Sequence, residues 1–154
     1  MATKVLPYIG EYIPGQLNPG EVKVAHCRLA FSGGDVNTGA VQATYNLFKF
    51  TMAAILLEVM AYTPTAWTTS VTITLGDTNA AAGWMASAKI APTSAQTNGI
   101  MKATDVSTAD TYAGGLLIAG TAAAPYILTA TVGGANPAVG ITDVYVRFVE
   151  TALL

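Results

Sequence analysis

The sequence predicts an all-β fold, an antiparallel β-sandwich or jelly roll with an extended N-terminal arm. Three observations carry that expectation. Apolar and polar residues alternate with period two in several short stretches, most cleanly in "VTITL", where Val71, Ile73 and Leu75 share one parity and Thr72 and Thr74 the other. Gly and Pro stand at nearly every junction between such stretches. No amphipathic helical run separates them, which argues against βαβ units and for antiparallel architecture.

Residues 1–20 differ from the rest. Pro7, Pro14 and Pro19 alternate with Gly10, Gly15 and Gly20, a spacing that excludes a helix and a central strand and favours extended backbone with turns. Leu6, Tyr8, Ile9, Tyr12 and Ile13 are costly to leave in water. They are the candidate partner-binding residues of an arm expected to lie on a neighbouring surface; the plainer alternative is a frayed terminus. Residues 21–154 are expected to form a single β-sandwich domain.

Within that domain "EVKVAHCRLAF" (21–31) has Val22 and Val24 on one parity and Cys27, Leu29 and Phe31 on the other. The change implies a bulge or a strand buried on both faces. "SGGDVNTGA" (32–40) reads as a loop, and "QATYNLFKF" (42–50) as the next strand. "ILLEVMAY" (55–62) has helix propensity but no N-terminal capping box, so it too is assigned to a strand, closed by the Thr-Pro that follows. "SVTITLG" (70–76) and "WMASAKI" (84–90) are expected to be strands flanking the turn "DTNAAAG". A polar stretch, 92–113, precedes "YILTATV" (126–132) and "ITDVYVRFVE" (141–150). The last should turn Val144, Val146 and Phe148 inward and Asp143, Tyr145 and Arg147 outward. The terminal "TALL" is apolar and expected to dock.

Charge is sparse. Only 10% of the 154 residues are charged, against about 25% in an average soluble domain. The formal net charge is −2 and the pI about 5.1. The seven basic residues are scattered, whereas phosphate-dominated binding needs them clustered, so nucleic acid is not an expected partner. Mean hydropathy is +0.46, yet the most apolar run, 52–60, is interrupted by Glu58 and falls short of the ~20 residues of a spanning helix. No membrane partner is expected, and the N-terminus shows no signal-peptide pattern.

Chemistry is equally sparse. His26 and Cys27 are neighbours and should point to opposite faces of a strand, so they are not expected to share a metal. Cys27 suits a small buried hydrophobe. Ser32, Ser70 and Ser87 lack a nucleophile-elbow context, and Asp35, Asp77, Asp105, Asp110 and Asp143 are separated. "GGDVNTG" and "GDTN" suit Asx turns better than a calcium loop. The expectation is a protein without enzymatic activity, cofactor or metal. Trp67 and Trp84 are candidates for the core, or else for a sugar-stacking platform.

The order of features carries a resemblance. "ATYNLFKF" leads into "AAILLEVMAY", then "SVTITLGDTNAAAGWMASAKI", then "GGLLIAGTAAA" and the closing "ITDVYVRFV". This arrangement, over roughly residues 40–149, resembles virion structural proteins of tailed bacteriophages, notably head decoration (cement) and head-fibre proteins. In these a strand commonly ends in Gly-Asp before a small-residue turn, Gly and an aromatic, as at 75–84. The resemblance implies a non-enzymatic protein, made in the host cytoplasm, that decorates or cements the outer capsid surface. It also implies a major capsid protein as partner and a homo-oligomer, by analogy a trimer. The alternatives are a tail or fibre component, or a carbohydrate-binding β-sandwich on the virion surface. A neutral surface rich in Thr and Ala would avoid the cost of desolvating charge at such contacts.

Overall fold

The structure, a computed structural model, describes residues 8–9, 21–102 and 116–151. Among these residues ten strands and one helical turn follow in order: β1 (Tyr8–Ile9), β2 (Val22–Ala30), β3 (Val36–Asn37), β4 (Thr44–Phe50), β5 (Ala53–Thr65), β6 (Thr72–Gly76), α1 (Ser87–Ile90), β7 (Thr97–Lys102), β8 (Leu116–Ala119), β9 (Tyr126–Gly133) and β10 (Ile141–Glu150). One sheet has the order β1-β4-β9-β6 and the other β3-β2-β10-β5-β7, with β8 also pairing β5. Pairing is antiparallel except at the short strands β1, parallel to β4, and β3, parallel to β2. The expected β-sandwich is what forms.

Alternation places the core between the sheets. Val71, Ile73 and Leu75 are buried while Thr72 is exposed and Thr74 half-buried. Cys27 and Leu29 of β2, Val144, Val146 and Phe148 of β10, and Leu128, Ala130 and Val132 of β9 join them. Phe50 and Phe148 meet edge-on across the sandwich with ring centroids 5.4 Å apart. Each fully buried side chain of this size contributes on the order of 1.5–3 kcal/mol. In β4 the consecutive Leu47 and Phe48 are both buried, because a register shift against β9 between Asn46 and Phe48 lets one strand turn two neighbours inward.

Several expectations need correction. β2 is neither bulged nor buried on both faces: its register with β10 is unbroken from Val22↔Val149 to Ala30↔Ile141. Val22 and Val24 stand on the outer face, 47% and 60% exposed. β5 does not stop before Pro64 but runs to Thr65. A register shift against β10 between Ile141 and Asp143 brackets Pro64, so its missing N–H costs no ladder bond there. Residues 84–90 are no strand. Met85 makes a single bridge to Leu75, after which the Ser87 hydroxyl accepts the Ile73 N–H at 3.1 Å, and the chain turns through α1 to a left-handed Ala91. The polar stretch 92–113 contains β7, and the 32–40 loop contains β3. Residues 152–154 of the apolar tail lie outside the described residues; Thr151 N–H donates to the Ala53 carbonyl.

A glycine sets the packing around Trp67. Gly140 has φ +139°, and a Cβ there would lie 2.2 Å from Trp67 Cδ2. Its carbonyl accepts the Phe31 N–H at 2.9 Å, tying the turn before β10 to the end of β2.

Candidate interaction surface

Two outer faces are available for contact, and they differ in chemistry. On the four-stranded sheet Thr72 and Thr74 of β6 lie beside Gly133 and Thr131 of β9, and Thr131 lies beside Thr44 of β4, their hydroxyls 3.0 Å apart. Short neutral side chains here, with the Thr44 and Thr131 hydroxyls paired, are inexpensive to cover.

The six-stranded sheet presents the other face. Parity along β2 points Val22, Val24, His26 and Arg28 outward, and register sets Asp143, Tyr145, Arg147 and Val149 of β10 opposite them. Arg28 holds Asp143 with two hydrogen bonds, Nε to Oδ1 at 2.7 Å and Nη2 to Oδ2 at 2.9 Å. His26 Nε2 donates to the same Oδ1 at 2.9 Å, and its ring stacks on Tyr145 with centroids 4.6 Å apart. Burial of Asp143 opposes its ionisation. The hydrogen bonds and positive charge of Arg28, with His26, outweigh burial and hold the carboxyl below its ordinary range. The Arg28 guanidinium is shifted upward by the same hydrogen bond and charge.

Charges nearby are also matched. Arg147 Nη1 donates to Glu58 Oε2 at 3.0 Å, and Lys23 pairs with Glu150. Beyond them the register lines up Val22, Val149, Ile55 and Leu117 as one apolar row crossing β2, β10, β5 and β8. Val22 and Leu117, at its two ends, are the exposed members. The outer face thus combines internally neutralised charge with an apolar row, which suits a protein–protein contact better than recognition of a charged ligand.

The arm residues fall unevenly. Tyr8 and Ile9 form β1, their backbone in register with Lys49 and Phe50 at the edge of the four-stranded sheet. Leu6, Tyr12 and Ile13 lie outside the described residues. His26 is exposed and Cys27 buried, on opposite faces as their adjacency required. Asp77 Oδ1 accepts the N–H groups of Asn79 and Ala80 at 2.8 and 3.0 Å, an Asx turn. Among the described residues no three His, Cys, Asp or Glu side chains gather as a metal site would require. The sugar-stacking platform is overturned. Trp67 and Trp84 are only 3% and 1% exposed, their ring N–H groups donating to Thr142 Oγ1 and the Tyr126 hydroxyl.

Sequence reasoning missed the cluster of Arg28, His26, Asp143 and Tyr145. The signal was present as outward parity in "VKVAHCRL" and "TDVYVRF", but only the pairing of β2 with β10 brings the two together.

No protein-family model matches the chain, and no curated protein matches it. Among solved structures, a chain of the cyanophage Pam1 capsid asymmetric unit superposes with a TM-score of 0.59 at 20% identity, covering 90% of this chain and 91% of that one. A chain from the acidic stable capsid structure of Helicobacter pylori bacteriophage KHP30 gives a TM-score of 0.49 at 12% identity, over 89% and 94% of the two chains. The Pam1 likeness establishes a common fold along nearly the whole length.

Proposed function

We propose that the chain is a non-enzymatic structural protein of a phage virion that packs on a capsid shell as decoration or cement. The observation that carries this reading is the fold held in common with the Pam1 capsid chain over 90% of this chain and 91% of that one. The surface chemistry supports it. A threonine face and a face whose charges already hold partners can both be covered without stranding an ion in a dry contact.

In this reading the partner is a major capsid protein, the location is the outer shell, and copies associate with one another, as a trimer by analogy with the proteins the sequence resembles. The arm residues Leu6, Tyr8, Ile9, Tyr12 and Ile13 supply part of the contact. Tyr8 and Ile9 pair with Lys49 and Phe50, which sets this part of the arm at the edge of the four-stranded sheet.

Immunogold labelling of intact virions purified from cells that express this protein tests the reading. Gold distributed over the head is the expected outcome. Gold confined to the tail would replace decoration by a tail role, and its absence from the particle would end the structural reading altogether.

A further inference from the structure

Among the described residues β2 leaves most of one side open. β3 pairs only with its Leu29 and Ala30, and among the described residues no strand lies beside residues 22–28 on the side away from β10. The direction of the free groups follows from three bonds. Phe31 N–H reaches Gly140 on the β10 side, whereas Thr38 N–H reaches the Ala30 carbonyl and Arg28 N–H reaches Asp35 Oδ2 (2.9 Å) on the other. Backbone groups alternate sides along a strand, so Val22, Val24 and His26 turn their N–H and C=O groups outward from the sheet edge. Asp35 closes the run at Arg28.

We propose that this edge pairs antiparallel with the same edge of a second copy, Val24 meeting Val24 across a two-fold axis. The outward set is symmetric about Val24. Val22 then faces His26 of the second copy and His26 faces Val22, so every outward N–H and C=O in the run gains a partner. Lys23 falls opposite Ala25, and no like charges meet.

Neighbouring registers do worse. Centring on Lys23 sets two ammonium groups against each other and leaves His26 unmatched. Centring on Ala25 or His26 drives the partner strand onto Arg28, whose N–H Asp35 already holds.

Charge complementarity points to the same occupant. Arg28, Lys23 and Arg147 are committed to Asp143, Glu150 and Glu58, so a charged partner gains little here. The exposed side chains left without a polar partner are Val22 and Val24, and a second copy offers the same two. Edges that stay solitary are commonly blunted by Pro, by a bulge or by an outward Lys. β2 has no Pro and no bulge, and its Lys23 is turned to Glu150.

This contact goes beyond the capsid reading and does not depend on it. An isologous edge builds even-numbered assemblies, while a trimer needs a separate, head-to-tail contact.

Sedimentation equilibrium of the full chain, without capsids, tests the proposal. Val24 is 60% exposed, so Val24→Lys and Val24→Glu should each fold. Each should weaken self-association on the order of ten-fold or more, and an equimolar mixture of the two should restore it. Val24→Pro should also fold, since this N–H faces the open edge, and should abolish the two-fold contact. A wild-type protein that stays monomeric at its highest soluble concentration would overturn the proposal. So would an oligomer that tolerates all three substitutions.

Discussion

Arg28 and Asp143 stand 115 residues apart in the chain and meet in a two-bond pair, Nε to Oδ1 and Nη2 to Oδ2, at 2.7 and 2.9 Å. Asp143 is nearly buried and also accepts from His26, so one carboxylate fastens the middle of β2 to the start of β10.

Replacing Asp143 by Asn keeps the shape but removes the charge. Both donors are partly exposed, 44% for Arg28 and 40% for His26, so water recovers part of the loss. The expected effect at neutral pH is a fall in Tm of about 2–5 °C. The acid side gives a sharper reading. Asp143 titrates lower in the folded chain than unfolded, so its contribution is present above the unfolded value, near pH ~4, and fades as pH falls through the folded one. Thermal melts of wild type and Asp143→Asn should therefore converge as the pH is lowered below about 4.

The register of β6 is tested by a pair of substitutions. Ile73→Asp places an unpaired charge in the core and should abolish soluble folding, while Thr72→Lys on the exposed face should change stability by no more than about 0.5 kcal/mol. Circular dichroism melts of the two decide it. Equal behaviour would mean the faces are assigned the wrong way round.

Gly140→Ala asks whether the Trp67 packing is as close as described. The added Cβ meets the indole ring at 2.2 Å, at a φ of +139° that side chains rarely adopt. A loss of about 2 kcal/mol or more is expected in urea unfolding. A neutral result would show that Trp67 can step aside.

Much of this architecture was legible in the residues. The β-rich run 126–132 marked β9, and period-two alternation placed β6 and β10 and their inward faces. It failed where another rule governed. Val22 and Val24 implied burial by type, yet they lie outward, where the parity of Cys27 and Leu29 prevails. β7, "TNGIMK", shows no clean alternation and forms by pairing with a long neighbour, β5, which a local reading does not see. "WMASAKI" had strand composition, but the Ser87 hydroxyl takes the Ile73 N–H and the chain turns. The outer-face cluster was hidden for the same reason as β7: its members come together only through a pairing of distant strands.

The central claim, that this sandwich works by packing on a capsid shell, is tested most directly by co-sedimentation with heads that lack it. The full chain and a variant beginning at Glu21 would be compared, with a thermal melt of each. Among the described residues this removes the two-residue pairing of β1 with Lys49 and Phe50, so the shortened chain should still fold, with Tm lowered by about 2–4 °C. The full chain is expected to saturate the heads, and the shortened one to bind at least about ten-fold more weakly, for want of several apolar side chains per copy. A full chain that stays in the supernatant would contradict the claim.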